Sequence, residues 1–342
     1  MTPATWPRPE PREDRLLRID PAAGTWRDAR LGDLPAELRA GDLLVVNDAA
    51  TLPASLRGRG PEGQDLELRL AGLAGHGEWW AVLFGAGDWR TRTEDRPAPP
   101  RLARGDRIAI GPDLNALVRR VDASSSRLVA LAFDRAGAPL WAALYRHGRP
   151  VQYSHLRAPL QLWHVQTGYA ARPWAVELPS AGRALTADMR RALAERGVRF
   201  ASLTHAAGLS STGDPALDAR LPLPERFEIP PRTAAAAAEA RARGSRVVAV
   251  GTTAVRAMEG QAARHQGRLV AGGGITDLVL DAAYRPRVVE GLLTGLHEPG
   301  TSHFELLQAF APPELLRAAH AHAEAAGYLA HEFGDSSLVL RG

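Results

Sequence analysis

The chain has 342 residues, 45% of them hydrophobic and 23% charged, and 42 basic against 38 acidic side chains leave a net charge of +4. That length supports a substantial core and two domains, while the complete lack of cysteine excludes disulfides, thiolate metal sites and cysteine nucleophiles and suits a reducing cytoplasm. Every basic side chain is arginine and none is clustered into a compact run, which fits a GC-rich coding bias better than a nucleic-acid-binding face.

The first fifteen residues, "MTPATWPRPEPREDR", are proline-rich and charged, without the apolar core of a signal peptide. No later stretch approaches 18 uninterrupted apolar residues, so no membrane segment is expected. These features predict a cytoplasmic protein with a loose N-terminal arm. The segment "LPAELRAGDLLVVNDAATLPASL", from about residue 34 to 57, predicts one strand over Asp42 to Asn47, followed by a loop holding Asp48 and Pro53.

Residues 58–150 have a different texture. "DLELRLAGL", "EWWAVLF", "GDRIAI", "LNALVRRV" and "SRLVALAFD" are short alternating runs separated by Gly, Pro, Asp and Ser, the pattern of a small β-barrel or sandwich. This segment is expected to be an all-β insertion between residues 1–57, which hold the arm and the first part of an α/β domain, and residues 151–342, the main part of that domain.

Beyond residue 150, helix and strand signals alternate. "TADMRRALAERG" places Met189 and Leu193 one turn apart and stops at Gly197, feeding the strand "VRFASLTH". "TAAAAAEARARG" is an alanine-rich helix ended by Gly244, "ITDLVL" reads as a strand, and Ser302-x-x-Glu305 reads as a capping box opening "SHFELLQAF". A largely parallel α/β sheet follows, with its ligand site in the loops at the strand C-termini.

The segment "SRVVAVGTTAVRAMEG" carries the strongest chemical signal. A strand runs into Gly251 and a helix begins at Thr252 and Thr253, so unpaired N–H groups and hydroxyls face whatever lies above the sheet. A carboxylate or a polarised oxygen would fit there; threonine as a plain helix cap is the competing reading. Arg256 and Glu259, three residues apart, are equally compatible with a surface pair.

Taken in order, "GDLLVVND", "LPASL", "VQTGYA", "LPSAG", "LTHAAG", "VVAVGTTAVRAME", "TDLVL", "VVEGLLTGLHEPGTS" and "FGDSSL" resemble the motifs of S-adenosylmethionine:tRNA ribosyltransferase-isomerases, the queuosine-pathway enzymes, from residue 34 to residue 340. The resemblance implies a discontinuous α/β domain with an inserted small all-β barrel domain, and a site for S-adenosylmethionine (SAM) in residues 151–342. Family members transfer the ribosyl portion of SAM to a deazaguanine base in tRNA, releasing adenine and methionine and forming epoxyqueuosine. The sulfonium activates its own neighbouring carbons, so no metal and no cofactor beyond SAM as substrate is implied. The matching positions are Asn47, Asp48, Gln166, Thr167, Tyr169, His205, Gly251, Thr252, Thr253, Arg256, Glu259, His297 and Pro299.

The chain also departs from the family pattern. Asn-Asp-Thr-Arg becomes Asn47-Asp48-Ala49-Ala50, and Pro-Ala-Arg-Leu becomes Pro53-Ala54-Ser55-Leu56, which removes two arginines suited to phosphate or carboxylate. Gly-Leu-His-Phe-Thr becomes Gly182-Arg183-Ala184-Leu185-Thr186, Gly-Thr-Phe becomes Ser210-Ser211-Thr212, and a histidine-rich segment gives way to "LPLPERFEI". These losses argue against tRNA as a partner. Two carboxylates are gained, Glu177 and Glu298, each readable as a solvent-facing loop residue or as a base or ammonium partner near a sulfonium.

Three functions are therefore weighed. The first is a SAM-consuming enzyme that has dropped tRNA and closes the methionyl α-carbon onto the γ-carbon, giving 1-aminocyclopropane-1-carboxylate and methylthioadenosine. The second is the family's tRNA reaction with altered recognition loops, and the third a non-catalytic binding protein. The expected catalytic groups are Glu177, His205, His297 and Glu298; Asn47, Asp48, Gln166, Thr167, Tyr169, Gly251, Thr252, Thr253, Arg256 and Glu259 are expected to bind substrate. His147, His155, His164, His265, His303, His320, His322 and His331 have weaker claims, and His320-x-His322 would direct its rings to different helix faces, so no metal is assigned.

Overall fold

The computed structural model describes residues 1–340. Its organising element is a nine-stranded sheet in the order Gly272–Thr276, Glu225–Ile229, Arg199–His205, Leu43–Asn47, Val247–Val250, Gly291–Gly295, Ser336–Leu340, Arg15–Asp20 and Thr25–Arg30. The central strands Leu43–Asn47 and Val247–Val250 are buried at every position, as unbroken apolar runs must be when helices cover both faces. Along them, side chains alternate between two cores. Leu43, Val45, Val247 and Ala249 pack with the helices Thr252–Arg264 and Pro313–Ala325, whereas Leu44, Val46, Val248 and Val250 pack with Met189 and Leu193 of the helix Ala187–Glu195.

The sheet is less uniformly parallel than expected. The four strands from Arg199–His205 to Gly291–Gly295 run parallel, but both flanks turn antiparallel, so four of the eight pairings are of each kind. The N-terminal segment is not loose either. Thr2–Pro3 pairs with Leu329–Ala330, and Arg15–Asp20 with Thr25–Arg30 forms a hairpin at the sheet edge, anchored by buried Leu16, Leu17 and Ile19. The prolines and charges around those residues hide a strand whose apolar side chains serve both faces.

Six antiparallel strands between Ser55 and Phe133 close into a barrel, sealed where Ser55–Arg59 meets Arg107–Gly111 at Arg59 and Ala109. The barrel segment interrupts the α/β domain in sequence, since sheet strands lie on both sides of it. The helix Gly137–His147 leads back out. Within the barrel, Glu67 holds Arg69 at 2.7 Å and Arg96 at 2.6 Å, with all three side chains buried.

Local details shift two expectations. The strand expected in "ITDLVL" is Gly272–Thr276, and beyond it Leu278, Val279 and Leu280 leave the sheet to line a cavity. The helix Ser302–Leu307 is capped by Thr301, whose hydroxyl accepts from Phe304 N–H at 3.3 Å; Ser302 is already its first helical residue.

Candidate active site

A cavity of about 640 Å³ opens above the C-terminal ends of the central strands, within the size range of small-molecule sites. Val247–Val250 ends at Gly251, whose φ of 89° is accessible at low cost only to glycine, and the helix Thr252–Arg264 starts at once without a side-chain cap. Gly251, Thr252, Thr253 and Arg256 line the cavity. The positive end of a buried helix, with N–H groups uncapped, thus faces it.

Asn47 fixes that helix start to the neighbouring strands. Its amide nitrogen donates to His205 O at 2.9 Å and to Thr253 Oγ1 at 3.2 Å, and its oxygen accepts from the N–H groups of His205 at 2.9 Å and Ala49 at 3.0 Å. Asp48 accepts from the Thr204 hydroxyl at 2.6 Å. Gln166 clamps Thr51 through both backbone groups, at 2.9 Å each, and Tyr169 donates to Gly182 O at 3.2 Å, with Thr167 buried beside them. Gly182 has to be glycine, because a Cβ there would lie 2.1 Å from the Tyr169 hydroxyl. These residues build the wall from behind rather than facing the cavity.

Two buried carboxylates, Glu177 and Glu225, line the cavity. Tyr153 donates its hydroxyl to Glu177 Oε1, and the Ser210 N–H donates to the same oxygen at 3.0 Å. Glu177 lines the cavity, and its hydrogen bonds from Tyr153 and the Ser210 N–H both reach Oε1. Burial pushes the Glu177 carboxyl up, against the opposing pull of its Tyr153 and Ser210 donors. The Tyr153 ring is in turn held by the barrel, with the Arg69 guanidinium 5.3 Å from its centroid.

At Glu225 both oxygens are occupied. Oε1 accepts the Gly208 N–H at 2.7 Å and Oε2 pairs with Arg256, which also donates to Leu278 O at 3.1 Å. Burial raises this carboxyl too, while Arg256 opposes the shift. His205, expected among the catalytic groups, lies fully buried behind this pair with Nε2 3.4 Å from Glu225 Oε2. Burial first, then the Arg256 charge, lowers its pKa to about 3, so it is a neutral packing and positioning group that does not reach the cavity.

His297 lines the cavity, stacks on His303 at 4.9 Å and shares a hydrogen bond with the Thr294 hydroxyl at 2.8 Å. Burial holds it well below the ordinary histidine range, with His303 and His331 adding to the effect, so it is neutral at pH 7. Glu298 sits at the rim, half-exposed, and its carboxylate lies 3.3 Å from the Met1 ammonium. Glu259 corrects the sequence expectation outright. It is fully buried away from the cavity and accepts the N–H groups of Arg287, Val288 and Val289 at 2.8–2.9 Å. Arg256 and Glu259 do not pair, because their helix is enclosed on nearly all sides.

Sequence reasoning missed Tyr153, Ser210 and Glu225. Glu225 had a signal: in the strand "ERFEI" it shares the buried parity with Phe227 and Ile229, and a carboxylate at a core-facing position calls for a partner. His322 pairs with Asp28 at 3.1 Å and His320 edges against Phe304, so that pair does not converge. Among the described residues no helix is long and apolar enough to cross a membrane.

A family model for queuosine biosynthesis proteins matches residues 2–339. The S-adenosylmethionine:tRNA ribosyltransferase-isomerase of Methylobacterium sp. (strain 4-46) is 39% identical over 97% of this chain and 93% of its own length. That of Synechococcus sp. (strain RCC307) is 37% identical over 96% and 90%. The crystal structure of S-adenosylmethionine tRNA ribosyltransferase from Thermotoga maritima aligns with a TM-score of 0.54, covering 99% of this chain and 96% of that one; at 23% identity the likeness is one of fold.

Proposed function

The chain belongs to the queuosine biosynthesis protein family, and from that premise we propose that it consumes SAM without tRNA, forming 1-aminocyclopropane-1-carboxylate and methylthioadenosine. The observation that carries this reading is Glu177. It lines the cavity, its Oε1 is pinned by Tyr153 and Ser210, and burial raises its proton affinity. That combination describes a positioned general base.

In the proposed reaction Glu177 Oε2 takes the α-proton of the methionyl group. The Cα electron pair forms a bond to Cγ, the Cγ–S bond breaks with its pair going to sulfur, and the sulfonium leaves as the neutral thioether methylthioadenosine. Charge balances as SAM cation yields two neutral products and the proton on Glu177. The difficulty is the weak acidity of that proton. Thr252, Thr253 and the uncapped helix start hold the substrate carboxylate and stabilise enediolate charge as it develops, where burial strengthens each hydrogen bond. Neutral His297 adds no positive charge to oppose a sulfonium, and Glu298 at the rim is suited to an ammonium group, as its contact with Met1 illustrates. The steps as written draw on no cofactor beyond SAM.

The second reading is the reaction in the relatives' names, SAM:tRNA ribosyltransferase-isomerase activity, favoured by identity of 37–39% over nearly the full chain. Incubation of the purified protein with SAM separates the two. Methylthioadenosine and the cyclised amino acid from SAM alone support the first reading; adenine and methionine, released only when deazaguanine-bearing tRNA is added, establish the second.

A further inference from the structure

We propose that His155, His331 and Glu332 form a binding site for a divalent transition-metal ion of the zinc, cobalt or nickel class, set in the wall of the cavity. One ligand atom from each of the three lies within 4.8 Å of the others. Two imidazoles and one carboxylate are the donor set that such borderline ions prefer over magnesium or calcium, and three protein ligands leave further coordination positions open to the cavity that all three residues line.

The closest pair already has coordination spacing. His155 Nε2 is 3.2 Å from Glu332 Oε2, against about 3.3 Å for the edge of a tetrahedron around zinc with bonds near 2.0–2.1 Å. His331 completes the set from the other side, its ring stacked on His155 with centroids 4.4 Å apart and planes inclined by 26°. Its ring makes no hydrogen bond to any described residue, and its side chain is exposed, so a modest rotation brings its nitrogen to a shared ion.

The surrounding backbone is built to present these groups. His331 has a φ of 67°, which a non-glycine residue adopts at a cost, and such residues gather at ligand sites. Its turn is closed by Gly334 N–H on His331 O at 2.9 Å and pinned by buried Phe333 and by Asp335, which accepts the Leu329 N–H at 2.7 Å. A Cβ at Gly334 would sit 2.4 Å from Leu329 O, so the turn has no looser alternative. His155 follows Tyr153, which is clamped by Arg69 and Glu177. Both segments are therefore fixed before any ion arrives. The reaction proposed above draws on no metal, so the two proposals fail independently.

The test titrates the full chain, stripped with a chelator, with cobalt(II), reading the visible absorption of the bound ion and its displacement by zinc. One ion per chain is expected. His331→Gly suits the positive φ, so the fold tolerates it; this variant and Glu332→Gln, with unfolding temperatures measured alongside, are expected to weaken binding by about 100-fold or more. His322→Ala is expected to leave it unchanged. Failure of the chain to retain cobalt or zinc, full binding in His331→Gly, or loss of binding in His322→Ala overturns the proposal.

Discussion

Tyr153 and Glu177 are joined by a hydrogen bond from the phenol to Oε1, across the seam between the segment that follows the barrel and the main sheet domain. The barrel's Arg69 stacks on one side of this contact and Ser210 donates on the other, so the carboxylate, and with it Oε2, has a fixed direction. If that oxygen is the base, Glu177→Gln lowers kcat by about 100- to 10,000-fold, the range a general base contributes, while SAM binding persists. Single-turnover product formation beside equilibrium SAM binding checks this.

The same contact sets a pH dependence. Tyr153 stabilises the ionised carboxylate and so opposes the upward push of burial on Glu177. Tyr153→Phe removes that opposition, the carboxyl rises further, and the base becomes available only at higher pH. The acidic limb of the kcat/KM profile moves upward in the variant; a limb that stays in place, or moves down, contradicts the assignment.

Arg256 and Glu225 form a buried pair whose members do not tolerate separation. Arg256→Met leaves Glu225 buried without its cation and costs about 3–5 kcal/mol of stability. Arg256→Met combined with Glu225→Leu recovers much of that loss, which denaturant unfolding of the two single variants and the double variant measures directly.

His205 links folding to acid. Its folded pKa of about 3 lies below the unfolded value of 6.5, so its stabilising contribution is complete above pH 6.5 and is lost as pH falls toward 3. Compared with His205→Gln, the wild-type chain loses about 1.4 kcal/mol per pH unit across that window. Asp14 acts in the opposite sense. Burial raises it to about 6 from 3.8, so stability from its protonated form is present below pH 3.8 and lost as pH rises through 6. Asp14→Asn flattens the unfolding-temperature profile between those values.

The sequence carried the architecture because the fold's determinants are local and periodic. "LLVVN" and "VVAV" are apolar without interruption, as doubly covered strands are, and the barrel runs alternate with period two. Gly251 and the two threonines marked the helix start because a strand, a glycine and a helix in succession dictate that geometry. What escaped was non-local. Glu225 meets Arg256 31 residues away, and Tyr153 meets Glu177 across 24, contacts that depend on where strands and loops are set by the whole fold. Glu259 misled for the same reason, since nothing within its helix announces that the helix is enclosed and that three N–H groups from residues 287–289 await a carboxylate.

Thr253 makes a narrower test of the helix start. Its hydroxyl is oriented by Asn47 at 3.2 Å beside the uncapped N–H groups. Thr253→Val removes a hydrogen bond to a charged substrate group and raises KM for SAM by about tenfold or more, as such bonds are worth about 1.5–3 kcal/mol. An unchanged KM would remove Thr253 from the binding site.

The most direct measurement uses SAM deuterated at the methionyl α-carbon, incubated with the protein alone and followed by mass spectrometry and by deuterium release into water. The account predicts that the label is lost to solvent at the rate of methylthioadenosine formation, that labelled substrate turns over more slowly, and that Glu177→Gln abolishes both. Recovery of methionine that still carries its deuterium, together with adenine and only in the presence of tRNA, would contradict it.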